Sequence, residues 1–162
     1  MRNRPLAVLS VAVFIIFLSL PCAAQNGIDY FKGTWTVIIK DGPKDGFKWT
    51  LGPALDGSWL GGTVERAASK ITNDYWRADD KKIERFAFSA SGLYVRISSG
   101  GWDHDKLVFN GIAGDIKGDF PVRETISRIS ADKFLALWEK QVADGKWQVF
   151  SDEVCTRSKT TL

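Results

Sequence analysis

Phe31-Lys32-Gly33-Thr34-Trp35-Thr36-Val37-Ile38-Ile39-Lys40 decides the fold. Trp35, Val37 and Ile39 alternate with Thr34, Thr36 and Lys40, the period of a strand with one buried face. Turn formers follow at once, Asp41-Gly42-Pro43-Lys44-Asp45-Gly46. The alternation then resumes, with Phe47, Trp49 and Leu51 set against Lys48 and Thr50. Two alternating runs joined by a Gly/Pro/Asp turn predict a β-hairpin.

The same pattern repeats along the chain. Further alternating runs lie at 59–66, 74–78, 83–90, 93–99, 106–110, 122–129, 134–140 and 146–156. Short turn segments separate them, among them Ser91-Gly92, Asp103-His104-Asp105 and Asp144-Gly145. About ten strands with such short links predict an antiparallel meander, because parallel pairing needs long crossovers and no long amphipathic helix is present. Closure into an up-and-down barrel is expected, since it leaves no exposed edge. The only helical candidate is a turn or two at 67–73. Gly111, Gly114 and Gly118 read as a flexible connection before Phe120-Pro121, and no helix follows that could hold an anion.

Upstream of the first strand stands an export signal. Arg2 and Arg4 precede a charge-free, largely apolar run at 6–20, then Pro21-Cys22-Ala23-Ala24. Fifteen residues suit a signal-peptide core and fall short of the ~20 that span a bilayer. Cleavage is expected before Gln25, giving a signal peptide at 1–24, one barrel domain at 25–162, and a periplasmic or secreted location. An uncleaved anchor is the alternative. Pro21 argues against lipidation of Cys22.

Export changes the composition. Without Cys22, Cys155 is the only thiol, so no internal disulfide forms and the core must hold the fold. Cys155 lies in an alternating run and reads as a buried, inert side chain. The formal charge of +3 falls to +1 once Arg2 and Arg4 leave, with twenty basic against nineteen acidic residues. No basic block exists, so nucleic acid and anionic lipid are not expected partners, and no membrane span remains after signal removal. A chain of that length buries roughly two-thirds of its unfolded surface in one domain.

The residues Phe31-x-Gly33-x-Trp35 resemble the opening strand of lipocalin-like (calycin) barrels. The resemblance implies an Arg or Lys near the last strand, packed over that Trp and closing the base, and Arg157 stands in the matching place. Val122-Arg123-Glu124, Asp132, Trp138-Glu139, Asp144-Gly145-Lys146-Trp147 and Cys155-Thr156-Arg157 are similar to an exported bacterial family of such barrels without established function. The haem-binding, nitrobindin-like relatives carry a glycine-rich extension after the Trp and a C-terminal histidine. This chain has Val37-Ile38-Ile39 and no C-terminal histidine, so no cofactor is expected.

Chemistry-bearing residues are few. The single histidine, His104, lies between Asp103 and Asp105 in a turn. A lone histidine cannot complete the usual zinc sets, and no nucleophile-elbow motif accompanies it, so neither a metal site nor a serine hydrolase is expected. Aromatic residues are abundant, with seven Trp in the mature domain. They read as core, or as the lining of a cavity open at one end. Trp49, Trp59, Trp76, Phe86, Phe88 and Tyr94 are the pocket candidates, with Arg96 as a grip for a ligand carboxylate. Glu124 shares its phase with Val122 and Ile126, so it faces inward if they do, the alternative being a solvated outer face. An inward carboxylate is either ion-paired or a general acid–base group of raised pKa.

The expected function is non-covalent binding of a small, largely apolar molecule. A metal-independent acid–base enzyme relying on Glu124 is the alternative, and an envelope-associated module with a filled core is a third. The sequence leaves the oligomeric state open.

Overall fold

A computed structural model describes residues 27–42, 46–66, 70–79 and 82–159. The expected signal peptide lies outside the described residues. Eleven strands run in chain order: β1 (Gly33–Ile39), β2 (Phe47–Ala54), β3 (Trp59–Arg66), β4 (Lys70–Ala78), β5 (Ile83–Ser89), β6 (Tyr94–Ser99), β7 (Trp102–Asp103), β8 (Lys106–Asp115), β9 (Gly118–Ser130), β10 (Lys133–Gln141) and β11 (Trp147–Arg157). Each long strand pairs antiparallel with its sequence neighbours. Two further pairings close the ring. β6 pairs with β8, and β1 pairs with β11 from Trp35–Arg157 to Ile39–Glu153. Ten strands therefore form a closed up-and-down barrel, while the two-residue β7 is a rung beside the start of β8.

Two segments differ from the sequence expectation. Lys70 to Asn73 belong to β4 and pair with β3, so the helical reading of 67–73 is corrected there. Across the barrel, Gly111 and Gly114 are internal to β8 and pair with both neighbours. They are strand residues, not a flexible connection. Local propensity favoured a loop at these glycines, and ladder pairing on both sides overrides it.

Inward positions form a continuous set around the ring through the registers. Trp35 and Val37 on β1 face Trp49 and Phe47 on β2, then Val64 on β3. Further round come Asp74 and Trp76, Arg85, Ile97, Phe109, Glu124, Ala136, Glu153 and Cys155. Gly62 belongs to this set. A Cβ there would sit 1.7 Å from the Thr50 carbonyl oxygen, so only glycine permits that approach of β2 and β3.

One end of the barrel is plugged. A 3-10 turn, Ile28–Phe31, precedes β1 and buries Tyr30 and Phe31 among the strands. Phe31 packs its ring against Trp49, Trp76, Trp102 and Phe134, at centroid distances of 4.6–5.9 Å. The Trp35 indole donates to the Phe31 carbonyl at 2.9 Å, and the Tyr30 hydroxyl donates to the Ser130 carbonyl at 2.8 Å. Trp35 is the floor of this aromatic cluster, and Arg157 seals it, its guanidinium carbon 4.1 Å from the Trp35 ring centroid. That guanidinium also donates to the carbonyls of Tyr30, Lys32 and Ala131 and to the Asp132 carboxylate. Gly33 has φ of 110°, and a Cβ there would come within 3.1 Å of Arg157 Nη1. The Gly-x-Trp pattern thus makes room for the arginine that covers its Trp. A second guanidinium, that of Arg128, lies over Trp102 at 4.1 Å and Tyr30 at 4.6 Å.

Candidate functional site

The aromatic plug fills the lower interior, and the charged side chains collect above it. Arg85 on β5 reaches two strands at once. Its Nε and Nη2 take both oxygens of Asp74 on β4, at 2.8–3.2 Å. Nη1 donates to Glu124 Oε2 on β9 at 2.6 Å. All three residues are buried, Asp74 completely. Three indoles enclose the guanidinium, with ring centroids at 4.8 Å (Trp76), 5.3 Å (Trp49) and 5.3 Å (Trp138). A buried cation in such a cage gains from the ring quadrupoles as well as from its carboxylates.

Strand parity explains why these residues meet. Asp74 alternates in phase with buried Trp76, Arg85 with Ile83 and Ala87, and Glu124 with Val122 and Ile126. Each lies on the inner face of its strand, so closing the ring brings them together.

A cavity of about 50 Å³, partly open to solvent, adjoins this cluster. Phe47, Val64 and Trp138 wall it, with Arg66, Arg85, Glu124, Glu153 and Cys155 as its polar lining. That volume holds a few waters or a group of a few heavy atoms. Glu124 gives one oxygen, Oε2, to Arg85. Glu153 accepts from the Ser151 hydroxyl at 2.9 Å and faces Arg66 Nη2 at 3.6 Å. Arg66 is half exposed and lies over the Phe47 ring, Cζ 4.4 Å from its centroid. The indole N–H groups of Trp49 and Trp76 are buried without an acceptor among the described residues.

Electrostatics follow from burial. Glu124 is pushed up to about 7, chiefly by burial; the charge and hydrogen bond of Arg85 offset part of this, and the Glu153 and Asp74 charges add to it. Burial also raises Glu153, against the Ser151 hydrogen bond and the charges of Arg66 and Arg85. Arg85 is weakened by burial but strengthened more by its two carboxylates, so it stays charged. Cys155 is pushed well up by burial and by the Glu153 and Glu124 charges. Three carboxylates thus face two guanidinium groups, and one carboxyl is poised to exchange a proton near neutrality.

The structure divides the sequence-based pocket set. Trp49 and Trp76 are interior and touch Arg85. Trp59, Phe86, Phe88, Tyr94 and Arg96 lie on the outer face, which corrects their reading as a common lining. The inward phase of β5 is Ile83-Arg85-Ala87, which turns Phe86 and Phe88 outward. On β6 it is Val95-Ile97-Ser99, which turns Tyr94 and Arg96 outward. Outside, Trp59 packs on Phe86 at 5.9 Å and Tyr75 stacks on Phe88 at 5.9 Å. Arg96 lies over Phe86 at 6.0 Å.

Arg85 and Asp74 are site residues that the sequence reading missed. The signal was present in Ile83-Glu84-Arg85-Phe86-Ala87-Phe88, where each phase holds one charge and two apolar residues. Bulk favoured the phenylalanine phase, and only the barrel registers resolve the choice. His104 sits in the turn between β7 and β8 with its side chain 95% exposed, bonded to Asp103. Among the described residues, no group of three or more His, Cys, Asp or Glu is arranged to hold a metal ion.

Compared with known protein families the chain matches none, and no curated protein matches it.

Proposed function

We propose that this chain is an exported, lipocalin-like barrel that binds a small amphiphilic molecule non-covalently at the open end. One observation carries the reading. A partly open cavity is lined by aromatic rings and by the carboxyl groups of Glu124 and Glu153, both of raised pKa. The polar head of the ligand enters that cavity toward Glu124 and Glu153. Its apolar remainder rests on Phe47, Val64 and Trp138. The plugged base leaves no room for a molecule sunk into the barrel, so the ligand is apolar in its body and not throughout. The basic start and apolar run at 6–20 support export, and the Arg157 lid on Trp35 supports the lipocalin-like assignment.

Native mass spectrometry of the exported protein tests this against the same sample denatured. Extra mass that disappears on denaturation, and is lost in Glu124→Gln, is the expected result. A clean polypeptide mass, with no small amphiphile shifting the melting temperature, overturns it.

Glu124 near pH 7 favours a second reading, acid–base turnover of the bound molecule. Incubating the retained molecule with wild type and with Glu124→Gln distinguishes the two. Conversion by wild type alone signals an enzyme, and an unchanged mass signals a binder.

A further inference from the structure

The mouth of the cavity already holds a cation. The Arg66 guanidinium covers the Phe47 ring at 4.4 Å and faces the Glu153 carboxylate at 3.6 Å. That second distance is too long for a hydrogen bond, and the side chain is half exposed. Arg66 is therefore held by an aromatic face and a nearby charge, without the directed bonds that fix Arg85. Cation–π contacts at exposed positions are weak, so a competitor can displace it.

Behind Arg66 the lining holds the carboxyl groups of Glu124 on β9 and Glu153 on β11 and the Arg85 guanidinium on β5; the Cys155 thiol on β11 is neutral. Asp74 on β4 is not part of the lining and is bonded to Arg85. Arg85 is committed to Asp74 and Glu124. Glu124 is 3% exposed and gives Oε2 to Arg85. Swinging Arg66 outward leaves Glu153 and Glu124 lining one space with Phe47 and Trp138. Carboxyl acceptors beside aromatic faces complement a small organic cation.

We infer that Arg66 is a tethered stand-in for the ligand, and that the site takes the ammonium or guanidinium group of a small organic cation in its place on Phe47 and Glu153. This deepens the binding reading above and rests on it. The site rejects anions, because a carboxylate head would meet Glu124 and Glu153 at close range. A bound cation also favours the ionised form of Glu124, so binding strengthens from pH 6 to pH 8.

Titration with methylguanidinium chloride, followed by NMR chemical shifts of the folded protein, tests the inference, with sodium acetate as control. Arg66→Met removes the stand-in at a half-exposed position, and its melting temperature checks the fold. The expected result is binding about fivefold tighter in Arg66→Met than in wild type, converted from the strength of an exposed cation–π contact. Adding Glu153→Gln to Arg66→Met should abolish the gain. Binding no tighter in Arg66→Met, or acetate bound in preference, overturns the inference. If methylguanidinium binds no variant while wild type retains a molecule that Glu124→Gln loses, the cation assignment falls and the binding reading stands. If neither binds, both fall.

Discussion

Arg85 and Glu124, 39 residues apart in the chain, meet at 2.6 Å inside the barrel. Asp74 completes the arrangement from the neighbouring strand at 2.8 Å. This is the only place among the described residues where one buried cation bridges two buried carboxylates. Removing charges from water is costly, so the cluster persists because its bonds are short, multiple and caged by indoles.

Breaking the cluster from one side should be severe. Arg85→Met leaves Asp74 and Glu124 buried without a counter-charge, and should cost about 3–5 kcal/mol. Adding Asp74→Asn and Glu124→Gln should recover a large part of that loss. Urea unfolding of the single and triple variants measures both. A neutral Arg85→Met would mean that the cluster contributes nothing to the fold.

Stability should depend on pH through Glu124. Its pKa in the fold is about 7, above the ordinary 4.5, so the folded chain binds the proton more tightly. The stabilisation is complete below pH 4.5 and is lost as pH rises through about 7. Glu153, also raised, acts in the same direction. Relative to Glu124→Gln, wild type should therefore lose stability between pH 5 and pH 8. Urea midpoints at each pH decide this, and a wild type that gains on the variant over that range contradicts it.

The Arg157 lid should be hard to replace. Arg157→Ala removes the cover of Trp35 and four hydrogen-bond acceptors' partner, for an expected loss of about 2–4 kcal/mol. Arg157→Lys should recover less than half, because an ammonium lacks the planar fork that reaches several carbonyls at once. By contrast Lys146→Ala, which breaks the exposed pair with Asp144, should leave the urea midpoint unchanged. Equal losses at the two sites would show the lid to be ordinary surface.

Cys155 should resist thiol reagents. It is 1% exposed and its pKa is pushed well up, so almost no thiolate forms at neutral pH. Labelling by a bulky aromatic disulfide should be slow in the native protein and immediate in 6 M guanidinium. Rapid native labelling would require an opening of β11 that the closed ladder does not provide.

Much of the fold was legible because alternation is a local signal. Trp35-x-Val37, Trp49-x-Leu51 and Val122-x-Glu124-x-Ile126 each assigned their inner face within one strand. The inward turn of Glu124 could be read the same way, since both its phase neighbours are apolar. In β5 the rule failed, because Ile83, Arg85 and Ala87 offer no more apolar bulk than Phe86 and Phe88. The aromatic plug at Tyr30 and Phe31 was equally hidden, since a 3-10 turn of four residues has no period.

By itself, then, the sequence determined an all-β chain of about ten short-linked strands and placed one carboxylate in phase with apolar neighbours, while the arginine over Trp35 was implied by a family resemblance. The first two are short-range properties, set by alternation and turn chemistry. Only the tertiary structure decided which face of β5 turned inward, and with it the partner of Glu124. Asp74, Arg85 and Glu124 come from three strands, and no local preference joins them. Closing the ring fixes every register at once, and that closure places a guanidinium between two carboxylates under three indoles.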